Sequence, residues 1–282
     1  MCLNPRFARL LELKDGKRQI SFKVDSVDID FHNYDITLPC GKCPECLVEY
    51  SKEWAFRIMC EHEYHEESCF ITLTYAEDPV SVSKDECQRF LKRLRFKLHP
   101  LKIKYFICGE YGSQGKRPHY HAIIFGWKPK DLTFVRKTKK GSVIFTSKVL
   151  EKLWNKGFVS VGDVSLYDAF YSAKYMQKLN DQLPGVEKPF VLMSKGLGYQ
   201  YMVDHAEELQ QSDEIWFSGD KYHIPRYFMR KAEAELGLDF SYVKAMRQKK
   251  RELIYFNQEA LDEKIEKYES WFGKKVVIYE GE

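Results

Sequence analysis

Two histidines one residue apart, His119 and His121, lie in the run Arg117-Pro118-His119-Tyr120-His121-Ala122-Ile123-Ile124-Phe125. On a strand, residues i and i+2 project from the same face. The two imidazoles therefore stand side by side, and Tyr120 points to the opposite face. Imidazoles that close together make half of a metal site. A preceding strand ends in Gly109 and Glu110. If the two strands form a hairpin that sets Glu110 near His119, its carboxylate completes a Glu-His-His triad. Three protein ligands leave coordination positions open for a substrate phosphate. The bland alternative is a pair of surface histidines on an edge strand. A cupin or a non-haem iron oxygenase also uses His-x-His, but a cupin usually adds a Glu shortly after the second His. Ala122 to Trp127 contains no carboxylate.

A second constellation is Tyr171, Lys174, Tyr175 and Lys178. A helix over Asp168 to Lys178 puts i and i+4 on one face, so the two phenols form a line and Y-x-x-K occurs twice in tandem. A phenol has a pKa of about 10, so a nearby ammonium or a metal-polarised phosphate helps it attack. Two equivalent phenols serve two successive transesterifications. In isolation the same tyrosines read as core or interface residues of an amphipathic helix. The His-x-His strand and its upstream Glu turn the reading toward nucleophiles.

Among eight cysteines, Cys40, Cys43 and Cys46 have C-x2-C-x2-C spacing. In a chain where no secretion signal is read, such spacing argues for metal rather than disulfides. Cys2 supplies a fourth thiolate if the start of the chain folds back, and a structural Zn²⁺ is the preferred occupant. An iron–sulfur cluster and plain reduced thiols are the alternatives. Cys60, Cys69, Cys87 and Cys108 read as core residues. His62 and His65 fall in an acidic, exposed helix segment with no ligand role.

Local patterning supplies the elements around these residues. Ile20, Phe22 and Val24, then Val27, Ile29 and Phe31, alternate with polar residues as short strands. A helix follows over about residues 45–67. Phe70 to Tyr75 is rich in β-branched and aromatic residues and reads as a strand. Ser83 reads as an N-cap, with Glu86 completing a capping box, for a helix that stops at Pro100. Strands are predicted over Lys104 to Glu110, His119 to Gly126 and Phe158 to Gly162, and a short helix over Ser147 to Asn155. Adjacent strands joined by a short loop imply an antiparallel centre, and helices packed on one face give an α+β fold. Helices are expected from Pro225 to Leu236 and from Tyr242 to Ser270. The chain divides into a Cys-rich segment and helix (1–66), a catalytic domain (67–200) and a mostly helical C-terminal extension (201–282).

The 282 residues carry 45 Lys and Arg against 41 Asp and Glu, a net charge of +4 that permits a nucleic-acid partner without requiring one. Basic clusters at Lys128 to Lys140 and Lys244 to Arg251 either track phosphates or form solvated faces. Ser194 to Gly198 is either a close approach to a DNA backbone or a turn. No stretch is apolar enough for a membrane span and no signal peptide is read, so a cytoplasmic location is expected. No G-x-x-x-x-G-K-[ST] occurs, so strand separation is expected to need a host helicase or supercoiling.

Three motifs occur in order: Phe70 to Tyr75, Glu110 with Arg117 to Phe125, and Tyr171 to Lys178. Together they resemble the HUH endonuclease superfamily and, within it, the two-tyrosine replication initiators. The Cys cluster with Ser51 to Arg57 resembles the initiators of microvirus-type single-stranded DNA phages of the gokushovirus branch. The resemblance spans roughly residues 1–200. It implies an HUH fold with a central antiparallel sheet and a Mg²⁺ or Mn²⁺ ion on Glu110, His119 and His121. It also implies paired nucleophiles at Tyr171 and Tyr175, with Lys174 steadying phosphate or phenolate. The implied activity is rolling-circle initiation in a host bacterial cytoplasm. A tyrosine nicks single-stranded or supercoiled origin DNA, leaving a 5′-phosphotyrosine and a 3′-OH for a host polymerase. Alternatives are an HUH transposase or relaxase, and a zinc-stabilised DNA-binding protein without catalysis.

Overall fold

The first strands pair as a three-stranded antiparallel sheet. β1 (Arg6–Glu12) lies between β2 (Arg18–Ser21) and β3 (Ile36–Leu38). The computed structural model describes residues 2–112, 115–138, 141–165, 169, 185–217 and 219–272. The alternation at Val27, Ile29 and Phe31 does not make a strand. It falls in a single helical turn, α1 (Ser26–Asp30), with no buried residue. The Asp25 carboxylate caps that turn by accepting from Asp28 N at 2.9 Å, so local capping wins where no second layer rewards alternation. Next comes α2 (Pro44–His62), opened by a proline at the helix position that needs no N–H. It ends five residues earlier than the sequence pattern suggests.

The main sheet follows. Its elements in chain order are β4 (Ser68–Thr74), α3 (Lys84–Leu98), β5 (Lys104–Tyr111), β6 (Pro118–Phe125), β7 (Leu132–Lys137), β8 (Val143–Ser147), α4 (Lys148–Trp154), β9 (Val159–Gly162) and β10 (Phe190–Met193). The strand order is β10-β5-β6-β4-β9-β8-β7, with antiparallel pairing throughout. The helix expected over 168–178 lies outside the described residues, apart from Ala169. Strands β7, β8 and β10 are additions to the elements that patterning predicts. β7 is an edge strand with five of its six residues exposed, so it shows no alternation to read.

The two faces of this sheet bury different sets. On one, Ile71, Leu73, Tyr120, Ala122 and Ile124 pack with Phe90, Leu91 and Leu94 of α3 and Leu150 and Trp154 of α4. On the other, Phe106, Ile123 and Phe125 pack with Trp54, Ala55 and Ile58 of α2, so the helices are not confined to one face as expected. Ser83 caps α3 by accepting from Glu86 N. The reciprocal half of the capping box is replaced by tertiary contacts. Ser83 N donates to the Tyr120 hydroxyl at 2.8 Å, and the Glu86 carboxylate takes Tyr75 and Lys156.

The remaining elements are α5 (Tyr199–Asp204), α6 (Ala206–Gln211), the hairpin β11 (Glu214–Phe217) and β12 (Asp220–His223), then α7 (Arg226–Leu236), α8 (Ser241–Tyr255) and α9 (Gln258–Phe272). The hairpin places Phe217 and Tyr222 against Phe56 of α2. The long terminal helix expected from Tyr242 to Ser270 is two helices. It divides at Asn257, whose side chain accepts from Ala260 N at 3.0 Å and caps the second half. Two compact units result. One combines the chain up to Tyr50 with Gln210–Asp213 and the part from Glu233 onward, and the other is Ser51–Leu209 with Glu214–Ala232. Among the described residues no helix is long and apolar enough to cross a membrane.

Candidate metal centre

The hairpin of β5 and β6 sets the centre by register. Glu110 lies directly opposite His119 and Cys108 opposite His121. On the other side of β6, β4 sets Thr72 opposite His121 and Thr74 opposite His119. Directly paired residues share a face, so Glu110, His119, His121 and Thr72 gather on one side. His119 Nε2 is 2.8 Å and His121 Nε2 3.4 Å from Glu110 Oε1. The candidate ligand atoms all lie within 4.8 Å of one another. Glu110 and His121 are buried, while His119 keeps partial access to solvent.

The hydrogen bonds behind the imidazoles orient them. His119 Nδ1 is 3.0 Å from the Arg117 carbonyl, which can only accept, so Nδ1 carries the proton. A neutral ring then turns its Nε2 lone pair toward the Glu110 carboxylate. Two lone pairs 2.8 Å apart need a proton or a cation between them. His121 Nδ1 is 3.0 Å from Thr72 Oγ1, and its ring stacks on Phe70 at 5.5 Å. Such partners behind ligating histidines fix ring orientation and tautomer. The donor set therefore fits a divalent ion with positions left for oxygen ligands. Thr72 and Phe70 escaped sequence analysis as site residues. The signal available was the strong strand at Phe70 to Tyr75, but its register against β6 is a tertiary fact.

Tyr120 points away, as expected. It is fully buried, its hydroxyl lies 2.6 Å from that of Tyr75, and burial pushes its phenol up to about 12. It anchors β6 from behind and is no nucleophile. Gly109 is required by close approach. A Cβ there would stand 2.7 Å from the Phe190 ring on β10.

The Ser194 to Gly198 segment is a turn. Leu197 is buried, its carbonyl accepts from Arg57, and Gly198 N donates to the buried Glu61. Glu61 also takes Lys104 at 2.8 Å and His65 at 2.7 Å. His65 is thus partly buried and engaged, not exposed. Against the cost of burial, these partners hold the Glu61 carboxyl below its ordinary range.

Cys2, Cys40, Cys43 and Cys46 converge, with all four sulfurs within 4.8 Å of one another. Hydrogen bonding with Cys2 lowers the Cys40 thiol, brings Cys43 down to about 7 and raises Cys46. Cys60, Cys69, Cys87 and Cys108 are buried core residues, as expected. Tyr171, Lys174, Tyr175 and Lys178 lie outside the described residues.

The comparisons with known proteins converge. A family model for replication-associated proteins of the ORF2 type matches residues 68–180, which include β4, β5 and β6. Replication-associated protein ORF2 of Spiroplasma virus 4 is 30% identical over 92% of this chain and 89% of its own length. Replication-associated protein ORF4 of Chlamydia phage 1 is 32% identical over 82% of this chain and 64% of its own length. Replication-associated protein VP4 of Bdellovibrio phage phiMH2K is 31% identical over 67% and 65%. No solved structure matches the chain. With its length nearly spanned by such a relative, the chain belongs to the family of microvirus replication-associated proteins.

Proposed function

We propose that this replication protein is a metal-dependent HUH endonuclease that nicks single-stranded origin DNA with a tyrosine and later rejoins the strand. The observation that carries the reading is the gathering of Glu110, His119 and His121 at one end of paired strands, with both imidazoles held from behind. A Mg²⁺ or Mn²⁺ ion bound there supplies Lewis-acid polarisation of the scissile phosphate. Imidazole ligands favour Mn²⁺ over Mg²⁺. Glu110, His119 and His121 hold that position, and Thr72 keeps the His121 ring turned toward it.

Tyr171 or Tyr175 attacks phosphorus with its phenolic oxygen. A tyrosine O–P bond forms as the P–O3′ bond breaks, and the phenolic proton ends on the departing 3′ oxygen directly or through solvent. The products are a 5′-phosphotyrosine and a 3′-OH. No water is consumed, so the exchange can be reversed. The second tyrosine cuts the regenerated origin, and the new 3′-OH attacks the first phosphotyrosine to close a circle. Lys174 and Lys178 set positive charge beside phosphate and phenolate. Ala169, two residues before Tyr171, is buried with Ile123 and Phe125, on the sheet face that also carries His119 and His121. That position supports the pairing of this segment with the centre.

The test is cleavage of single-stranded DNA carrying the origin, with Mn²⁺, read on a denaturing gel. Wild type is compared with Tyr171→Phe, Tyr175→Phe and the double variant. A slow-migrating protein–DNA adduct, lost in the double variant, is expected. Cleavage that persists there overturns the tyrosine assignment, and cleavage without any adduct indicates hydrolysis instead.

A further inference from the structure

We infer that Cys2, Cys40, Cys43 and Cys46 form a closed, mononuclear four-thiolate site for zinc, separate in chemistry from the Glu-His-His centre and independent of the nuclease reading. The β1–β3 pairing brings its halves together. Arg6 faces Leu38, so the chain before β1 and the chain after β3 leave the sheet at the same end. Cys2 thereby meets Cys40 although 38 residues separate them. The Sγ atoms of Cys40 and Cys46 are 3.9 Å apart, as are those of Cys2 and Cys43. A disulfide requires about 2.0 Å. A tetrahedron with Zn–S bonds of about 2.3 Å has edges of about 3.8 Å. Iron–sulfur clusters spread their cysteines over several irons and separate the thiolates further than one ion does. With all four sulfurs within 4.8 Å, the geometry favours a single ion over a cluster.

The backbone is arranged for charged sulfur. Lys42 N and Cys43 N both donate to Cys40 Sγ, Cys40 N donates to Cys2 Sγ and Leu3 N to Cys43 Sγ. Gly41, at φ +74°, makes the turn that aims two of these donors back at Cys40. Cys43 sits just before α2 and Cys46 in its first turn, where the positive end of the helix favours thiolates. Leu261 of α9 is buried against the cluster, with Ile265 packed beside it. Four protein ligands under an apolar cover leave no position for substrate, so the site is structural.

The experiment uses the full chain, prepared reduced and without a histidine tag. Elemental analysis should find one zinc per chain that survives dialysis. Cobalt exchanged into the wild type should give the intense thiolate-to-cobalt charge-transfer band and the visible bands of a tetrahedral ion. His119→Ala/His121→Ala should keep those bands, and Cys43→Ser/Cys46→Ser should lose them together with the zinc. Wild-type protein without the charge-transfer band overturns the proposal even if the cysteine variant fails to fold. So does labile sulfide, or iron in place of zinc in the protein as isolated.

Discussion

The Glu-His-His centre and the four-cysteine cluster are two answers to one problem, how to hold metal ligands close together in water. The first is built on register. Glu110, His119 and Thr72 come from neighbouring strands whose alternation dictates which side chains meet. Its three ligands, two nitrogens and a carboxylate, leave room for a phosphate. The second is built on a turn, a helix start and a strand pairing that joins Cys2 to Cys40. Its four sulfurs complete a tetrahedron. The difference is between a site that must exchange its outer ligands and one that must not.

The sharpest way to break this comparison is to exchange the expected losses. His119→Ala/His121→Ala should reduce metal-dependent nicking by on the order of 10³-fold, since Lewis-acid stabilisation is worth several kcal/mol. Tm should barely change. Nicking that survives would show that the centre is not catalytic. Thr72→Val comes next. It removes the partner of His121 Nδ1 while keeping the β-branched shape, and such partners are worth about 10–100-fold in metal affinity or activity. Titration of nicking against Mn²⁺ should show a higher half-saturating concentration, and an unchanged one would make Thr72 a packing residue only.

The smallest effects separate two glycines needed for different reasons. Gly109→Ala drives a Cβ into the Phe190 ring and should cost about 1–3 kcal/mol, partly recovered in Gly109→Ala/Phe190→Ala. Gly41→Ala meets no neighbour within 4 Å but must adopt a left-handed φ, at a cost of about 1–2 kcal/mol. Denaturant unfolding measures both. A Gly41→Ala loss that vanishes when metal is stripped would tie that strain to the cysteine turn, whereas the Gly109→Ala loss should be indifferent to metal.

Much of the Glu-His-His centre is legible in the sequence because its parts are local. A strand of period two fixes which faces His119, Tyr120 and His121 take, and a short loop to β5 leaves little choice of partner. The same logic fails at Val27 to Phe31, where alternation without a covering layer yields to the Asp25 cap. It fails again at Ser83 and Glu86. There a recognisable box is half dismantled by the Tyr120 hydroxyl and by the pull of Lys156 and Tyr75 on the carboxylate. The basic run around β7 does not read as a strand because an exposed edge imposes no pattern.

By itself, then, the sequence determined the elements with strong periodicity, the His-x-His face and the tight Cys40-Cys43-Cys46 spacing, because these follow from geometry over a few residues. Tertiary structure alone decided that Thr72 stands behind His121, that Glu61 binds Lys104 and Gly198, and that Cys2 closes the cysteine cluster. Each of these contacts joins residues tens of positions apart. Their pairing depends on which strands and helices pack together, a choice made by the burial of whole faces and carried by no local pattern.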